Sequence, residues 1–367
     1  MGTFTTTQAI APALLLRGDV FWPQAIEAIA QLGNRPLLLG RSAGTATLRE
    51  GLLAQFGSHG LMPQAACLQH DCCEQDLARI SALAETSACD MVIAAGGGKV
   101  LDAGKLLADR LDLPCVTVPT SAATCAGWTA LANLYSPNGA FAQDVTLRRC
   151  PELLVFDHAL VVQAPARTLA SGIADAMAKW YEASVSSGGS EDGLVQQAVQ
   201  MARILRDQLL LEGQEAMANP GGAAWKRVAE ASALTAGLVG GLGGARCRTV
   251  AAHAVHNGLT QLEATHGSLH GEKVGFGVLV QLRLEELVGG NRLAAQARRQ
   301  LLPFFRALAL PLSLADLGLG SASLSDLMAV CDFACREDSD LHHLPFQVAP
   351  DDLLAALVST TVERQPA

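Results

Sequence analysis

The sequence has few basic and few aromatic side chains. Among its 367 residues, 26 are Lys or Arg and 35 are Asp or Glu, which gives a net charge of −9, and aromatic residues make up 4%. So acidic a chain has no broad basic surface that would neutralise nucleic-acid phosphates or anionic lipids. We therefore expect no nucleic-acid partner and no membrane partner, and a small molecule as the substrate.

We expect neither a membrane span nor a secretory leader. No uninterrupted apolar run reaches the roughly 18 residues that a membrane span needs, and the first residues lack a basic region and a convincing cleavage site. The ten cysteines form no CxxC pair and no repeating spacing, which argues against a disulfide scaffold and a structural zinc ribbon. Most lie in apolar segments, where a reduced cysteine acts as a small buried side chain. These features predict a cytoplasmic protein.

The first 160 residues alternate short apolar runs with longer helical patterns. Buried strands are predicted at 35–40, 90–95, 113–118 and 150–157. Between them lie segments such as 75–85, where apolar residues recur with helical spacing. This βαβ pattern predicts an α/β domain with a parallel sheet, which we place at residues 1–163.

The second half of the chain predicts helices only. Half of all residues are apolar and 17% are charged, and at about 150 residues per domain the length predicts two domains. From residue 166 the chain is rich in Ala, Leu and Glu, and breaks fall near 187, 220, 243, 267, 289 and 311. We therefore predict an all-α domain at 164–367.

Three glycines follow the predicted strand that ends at residue 95. Gly96, Gly97 and Gly98 precede Lys99 and open a helical segment. Glycines let the backbone approach a pyrophosphate, and a helix N-terminus offers unpaired N–H groups and the positive end of its dipole. The next predicted strand leads into Pro-Thr-Ser-Ala-Ala-Thr at 119–124, whose hydroxyls suit a phosphate or a ribose. The pattern favours a dinucleotide site, although any tight turn between strand and helix uses glycine.

The end of the first predicted strand bears on the choice of cofactor. An acidic residue at such a position usually binds the adenosine ribose, whereas Arg and Ser suit a 2′-phosphate. Here the apolar run at 37–39 leads into Gly40, Arg41 and Ser42. We therefore expect NADP(H) rather than NAD(H), with Arg41 and Ser42 as contacts. The alternative is that Arg41 is a solvated loop residue.

Three histidines within 18 residues indicate a metal site. His253 and His256 are three apart and share a helix face, and His270 follows a loop that can return it beside them. A catalytic zinc or iron needs about three protein ligands and an open position, so a carboxylate is expected as partner. Asp175 is the best candidate because it lies in an otherwise apolar helical stretch.

Several segments together resemble one enzyme family. GGGKVLDAGK, PTSAAT, SGIADAMAKWYEA, AAHAVHNGLT and HGEKVGFGVLVQL, in this order and spacing, resemble the metal-dependent group III (iron-containing type) alcohol dehydrogenases, in their glycerol dehydrogenase-like branch. The segments ATCAGWTALANLY and GLVGGLGG are most similar to its hydroxycarboxylate dehydrogenases. The resemblance spans about residues 10–355. It implies the dehydroquinate synthase-like fold, a Rossmann-like N-terminal domain followed by a helical one, with a divalent metal beside the nicotinamide.

The resemblance also implies roles for single residues. Asp175, His253 and His270 match the metal ligands, and zinc is favoured over iron. His256 matches a histidine near the substrate, which implies a proton relay. The cofactor-binding positions are Gly96, Gly97, Gly98, Lys99, Asp102, Thr120, Ser121, Thr124 and Thr129. Family members form dimers to octamers, so a homo-oligomer is expected.

Two positions depart from the glycerol dehydrogenases. Those enzymes have an aspartate facing the polyol where this chain has Cys125, and usually an aspartate near the ribose where it has Arg41. Without the first aspartate, a substrate carboxylate meets no like charge. We therefore predict hydride transfer between NADP(H) and a small 2-oxo or 2-hydroxy acid. The alternatives are an NAD-dependent glycerol or diol dehydrogenase, a lyase related to dehydroquinate synthase, and a non-catalytic nucleotide-binding homologue.

Overall fold

The computed structural model describes residues 7–360. The strands are β1 (Leu14–Gly18), β2 (Pro36–Gly40), β3 (Gln64–Cys67), β4 (Met91–Gly96), β5 (Cys115–Pro119), β6 (Leu131–Tyr135), β7 (Phe141–Thr146) and β8 (Leu153–Asp157). The helices are α1 (Trp22–Ala30), α2 (Ala46–Ser58), α3 (Glu74–Thr86), α4 (Gly98–Leu111), α5 (His158–Val161), α6 (Ala166–Ser187), α7 (Gly193–Ala218), α8 (Ala223–Glu230), α9 (Ala236–Gly243), α10 (Ala251–Leu259), α11 (His270–Leu287), α12 (Arg292–Ala307), α13 (Leu324–Ala334) and α14 (Pro350–Thr360).

Six strands form one parallel sheet in the order β1-β8-β5-β4-β2-β3, and β6 pairs with β7 in a separate two-stranded sheet. The four predicted strands are confirmed as β2, β4, β5 and β8, and each is buried along its whole length. Parallel strands covered by helices on both faces require such continuous apolar runs. The N-terminal part is therefore the α/β fold that the sequence predicts.

The sheet order places a topological switch point between β2 and β4. The chain runs from β2 outward to β3 on one side of this pair, and from β4 outward to β5 on the other side. Leu39 pairs with Ala94, so the two strands end level with each other. Ligands of open α/β sheets bind beyond the carboxyl ends of strands at such a point. The loops that carry Arg41 and Gly97 both begin there.

After residue 161, all the regular elements of the described chain are helices, as predicted. The segment Ala231–Thr235 is a π-helical turn that joins α8 to α9. Small residues let α9 pack closely against α7, since a Cβ on Gly243 would lie 2.9 Å from the Cβ of Ala198 on α7.

Contacts divide the protein into two compact units. The first contains the described residues up to Thr120 together with 126–137 and 142–161, and the second contains 121–125, 138–141 and the described chain from Val162 onward. The domain limits 1–163 and 164–367 remain a proposal. None of the ten cysteines is in a disulfide, and six of them are buried. Within residues 7–360, no helix combines the length and the apolar character that crossing a membrane requires.

Candidate active site

Three helices of the second unit bring the predicted metal ligands together. Asp175 lies on α6, His253 on α10, and His270 is the first residue of α11. The Oδ1 atom of Asp175 is 3.4 Å from Nε2 of His253 and 3.6 Å from Nε2 of His270. One ligand atom from each side chain lies within 4.8 Å of the others. Residues far apart in sequence thus form a compact group of one oxygen and two nitrogens.

The chemistry of this group fits a divalent metal. Asp175 is 3% exposed, and among the described residues its Oδ1 atom has no hydrogen-bond partner. A buried carboxylate oxygen without a partner is costly. A cation bound by Oδ1 and the two imidazole nitrogens would supply that partner and keep a fourth position open, as catalytic zinc sites do. Nitrogen and oxygen ligands of this kind also suit iron.

The pKa shifts of Asp175 and His270 agree with ligand roles. Burial acts to raise the pKa of Asp175, but Lys179 and the two histidines outweigh it and hold that pKa well below its ordinary value. Burial lowers the pKa of His270, despite the opposing effect of Asp175. Burial acts to lower the pKa of His253, but Glu182 and Asp175 outweigh it and raise that pKa. The carboxylate is therefore ionised and the His270 imidazole neutral near pH 7, which are the forms that bind metals.

Glycines let the helices that carry these ligands pack closely. A Cβ on Gly271, directly after His270, would lie 1.8 Å from the carbonyl oxygen of Ser171 on α6. A Cβ on Gly277 of α11 would lie 2.3 Å from the carbonyl oxygen of Ala252 on α10. No side chain fits at either position, so glycine fixes the spacing of α6, α10 and α11 around the metal group.

His256 is buried beside the group and is not one of its three ligands. Its ring centroid is 4.2 Å from that of His270, edge to face. Its Nδ1 atom is 2.9 Å from Oδ1 of Asn257, an acceptor, so Nδ1 carries the proton. Burial lowers the pKa of His256 well below its ordinary value, and the neighbouring His270 and Lys273 act in the same direction. His256 is therefore a neutral imidazole, and its proton-relay role remains a prediction.

In the first unit, the glycine segment has the predicted strand–turn–helix form. α4 begins at Gly98, two residues after the end of β4, and Gly97 is its extended N-cap. No side chain caps α4, and a Cβ on Gly97 would meet no atom within 4 Å. The N–H groups of Val100 and Leu101 donate to the carbonyl of Gly97. Those of Gly98 and Lys99 are left for another acceptor, the arrangement that phosphates use in dinucleotide sites.

Arg41 and Lys99 meet at a carboxylate that the sequence analysis missed. Asp71, in the loop after β3, pairs through one oxygen with Arg41 and through the other with Lys99. It is buried, whereas both basic side chains are about 40% exposed. Asp71 thus supplies the acid that is missing after β2. Arg41 is not simply solvated, and the two cations with one carboxylate carry a net positive charge.

The remaining predicted cofactor residues fall into two groups. Asp102 and Thr129 surround the buried ammonium of Lys105, at 3.1 Å from Oδ1 of Asp102 and 3.2 Å from Oγ1 of Thr129. Half-buried hydroxyls and a thiol follow β5; they are Thr120, Ser121, Thr124 and Cys125. Ser42 lies in an exposed turn, with its hydroxyl 3.0 Å from that of Thr45. Cofactor or substrate contact by these side chains remains a prediction.

Other histidines belong to local structure. His70, Cys73 and Asp76 lie close enough for a metal. However, Asp76 already accepts the backbone N–H groups of Gln69 and His70 and a bond from Arg79. Its carboxylate is therefore used in shaping the turn before α3. His342 and His343, for which the sequence suggests no role, lie near the backbone carbonyls of Arg336 and Thr249.

Comparisons with known proteins place this geometry in context. The family model of iron-containing alcohol dehydrogenases matches residues 12–158. An uncharacterized oxidoreductase of Synechocystis sp. is 52% identical, with 98% of this chain and 93% of that protein covered. The glycerol dehydrogenase of Pseudomonas putida is 36% identical (85% and 84% covered), and hydroxycarboxylate dehydrogenase A of Escherichia coli is 35% identical (78% of each). The crystal structure of a probable glycerol dehydrogenase from Sinorhizobium meliloti superposes with a TM-score of 0.85 at 29% identity, covering 97% of this chain and 98% of that one.

Proposed function

Because the chain belongs to the iron-containing alcohol dehydrogenase family, in its glycerol dehydrogenase-like branch, we propose that it is a metal-dependent oxidoreductase that reduces small 2-oxo acids with NADPH and oxidises the 2-hydroxy acids in reverse. The observation that carries this proposal is the group formed by Asp175, His253 and His270 around a buried oxygen that lacks a partner. The chain also acts, in this proposal, as a homo-oligomer.

The residues of the metal group would hold zinc, in preference to iron. When bound, the metal supplies a Lewis acid for the carbonyl or alkoxide of the substrate. Asp175 contributes the negative charge that retains it, and His253 and His270 contribute imidazole nitrogens. The first turn of α4 binds the pyrophosphate of the cofactor through its N–H groups. His256, buried next to His270, passes a proton to or from the substrate oxygen.

The choice of a 2-oxo acid rests on Cys125. This side chain is small, half-buried and uncharged where glycerol dehydrogenases have an aspartate, so a substrate carboxylate meets no like charge there. The hydroxycarboxylate dehydrogenase relative supports the same substrate class. The relatives named glycerol dehydrogenase favour the second candidate, an NAD-dependent glycerol or diol dehydrogenase.

The direct test is NADPH oxidation by zinc-loaded protein offered a panel of short 2-oxo acids. We expect turnover with at least one acid and none after a chelator has removed the metal, since the Lewis acid is lost. Zinc should restore the rate. No turnover of the acids, combined with NAD reduction by glycerol or a diol, would replace this proposal by the second candidate.

The cofactor preference is tested at Arg41. In the Arg41→Ala variant, the ratio of kcat/KM for NADPH to that for NADH should fall at least about tenfold, because a charge-assisted hydrogen bond to phosphate is worth about 1.5–3 kcal/mol. Asp71→Asn should raise the same ratio, since it removes the carboxylate that pairs with Arg41 and Lys99. Both ratios come from steady-state kinetics with each cofactor.

Arg35 provides the matched control for this prediction. It precedes β2, whereas Arg41 follows the same strand, so Arg35→Ala changes the charge equally at the opposite end of the strand. In Arg35→Ala, the ratio of kcat/KM for NADPH to that for NADH should match the ratio of the wild type. An Arg41→Ala protein that keeps the wild-type ratio would refute the 2′-phosphate contact.

A further inference from the structure

Glu182 is a fully buried carboxylate on α6, seven residues after Asp175, and its exposed fraction is 0%. One of its oxygens, Oε2, lies 2.7 Å from Nδ1 of His253. The other, Oε1, accepts the backbone N–H groups of Val250 at 2.7 Å and His253 at 3.0 Å. A single side chain thus holds both the ring and the backbone of one metal ligand.

The N-terminus of α10 has no cap of its own. Its N-cap residue is Val250, which has no side chain that can accept a hydrogen bond. Besides the two bonds to Glu182, the N–H of Ala252 donates to Oε1 of the buried Gln281 on α11, at 3.1 Å. The free N–H groups of a buried helix start must find acceptors, and here side chains of the neighbouring helices supply them. Glu182 therefore fixes the helix that carries His253.

We propose that Glu182 is a positioning residue that fixes the tautomer of His253 for metal binding. Oε2 of Glu182 accepts the hydrogen bond, so Nδ1 of His253 carries a proton, and in the form of the ring that binds a metal this is its only N–H proton. The lone pair is then on Nε2, the nitrogen that faces Oδ1 of Asp175 at 3.4 Å. A metal needs that unprotonated nitrogen, and partners of this kind orient ligand histidines and strengthen their binding. The inference rests on the metal site of the proposed function.

The variant Glu182→Gln separates the two tasks of this side chain. Glutamine has the same shape, and its amide oxygen can still accept the two backbone N–H groups. Its NH₂ group then faces Nδ1 of His253, which must become an acceptor, and the proton moves to Nε2. We expect the association constant for zinc to fall about 10–100-fold, the loss typical when such a partner is removed.

Glu182→Ala provides the contrasting variant. It leaves a cavity and removes the acceptor of two buried N–H groups, so the metal-free protein should unfold at a lower temperature than the Gln variant. The ring of His253 is then free to carry its proton on either nitrogen, so zinc affinity should fall less than in Glu182→Gln. If Glu182 served only as a helix cap, Glu182→Ala would have both the lower unfolding temperature and the weaker zinc binding of the two variants.

Asp76→Asn is the matched control. Asp76 is also fully buried and accepts two backbone N–H groups, and its Oδ2 atom is 3.5 Å from Nδ1 of His70, but it belongs to the first compact unit. Zinc affinity is measured for all variants by competition with a chromophoric chelator, and stability by thermal unfolding of metal-free protein. We expect Asp76→Asn to bind zinc as the wild type does.

The outcomes distinguish the two proposals. The positioning role of Glu182 is supported if zinc affinity is lowest in Glu182→Gln while thermal stability is lowest in Glu182→Ala. If zinc binding needs His253 but is unchanged in Glu182→Gln, or weaker in Glu182→Ala than in Glu182→Gln, the tautomer role is overturned and the metal site stands. If zinc binds equally well without His253, the metal site and this inference are overturned together.

Discussion

Replacing His253 by alanine is expected to abolish zinc retention and to lower kcat/KM by at least about 10³-fold, because a Lewis acid contributes several kcal/mol to the stabilisation of the developing charge. Only Asp175 and His270 would remain as ligands from the group. Metal content after dialysis and steady-state rates with added zinc measure the two effects.

His266→Ala is the control for this prediction. His266 is exposed and lies in the connection between α10 and α11. Its Nε2 atom is 2.9 Å from the carbonyl oxygen of Thr260. Its loss should leave zinc content and rate unchanged. A His253→Ala protein with full zinc content and a full rate would show that His253 is not a ligand.

Gly271→Ala should produce a large loss of stability in the helical unit. The new Cβ would lie 1.8 Å from the carbonyl oxygen and 2.6 Å from the carbonyl carbon of Ser171. Both are backbone atoms, so the clash can be relieved only by moving α11 away from α6. We expect the free energy of unfolding of the metal-free protein to fall by about 3 kcal/mol, the upper end for overpacking. Denaturant titration measures this loss.

Zinc binding should weaken in the same variant because the preceding residue, His270, moves with the helix. Gly267→Ala is the control, since a Cβ there would meet nothing within 4 Å. Its free energy of unfolding should stay within about 0.5 kcal/mol of the wild type, as for most surface changes. Equal stability of Gly271→Ala and Gly267→Ala would mean that α6 and α11 are not held at this spacing.

The central strands could be predicted from sequence and the edge strands could not. β2 and β4 lie inside the sheet and are buried on both faces, which requires unbroken apolar runs. β1 and β3 lie at its two edges and are partly exposed. A partly exposed edge strand does not require an unbroken apolar run, so the sequence pattern does not distinguish these two strands.

The metal group was predictable because its histidines are close in sequence and lie in segments that resemble a known family. The carboxylates that pair with the candidate cofactor and metal residues were harder to find. Asp71 follows β3, a strand that the pattern did not reveal, and its partner Arg41 is 30 residues away. Glu182 is 71 residues from His253. One signal for Glu182 was available, since a residue seven positions after Asp175 lies on the same helix face.

The position of β1 has a consequence for synthesis on the ribosome. Among residues 7–360, β1 is the first strand in the sequence, and its one neighbour in the sheet is β8, the last. Until residues 153–157 have emerged, the nascent sheet has an open edge at β5 and an unpaired strand at its beginning. Open edges recruit other strands. Incomplete chains that end before β8 should therefore aggregate readily and depend on chaperones.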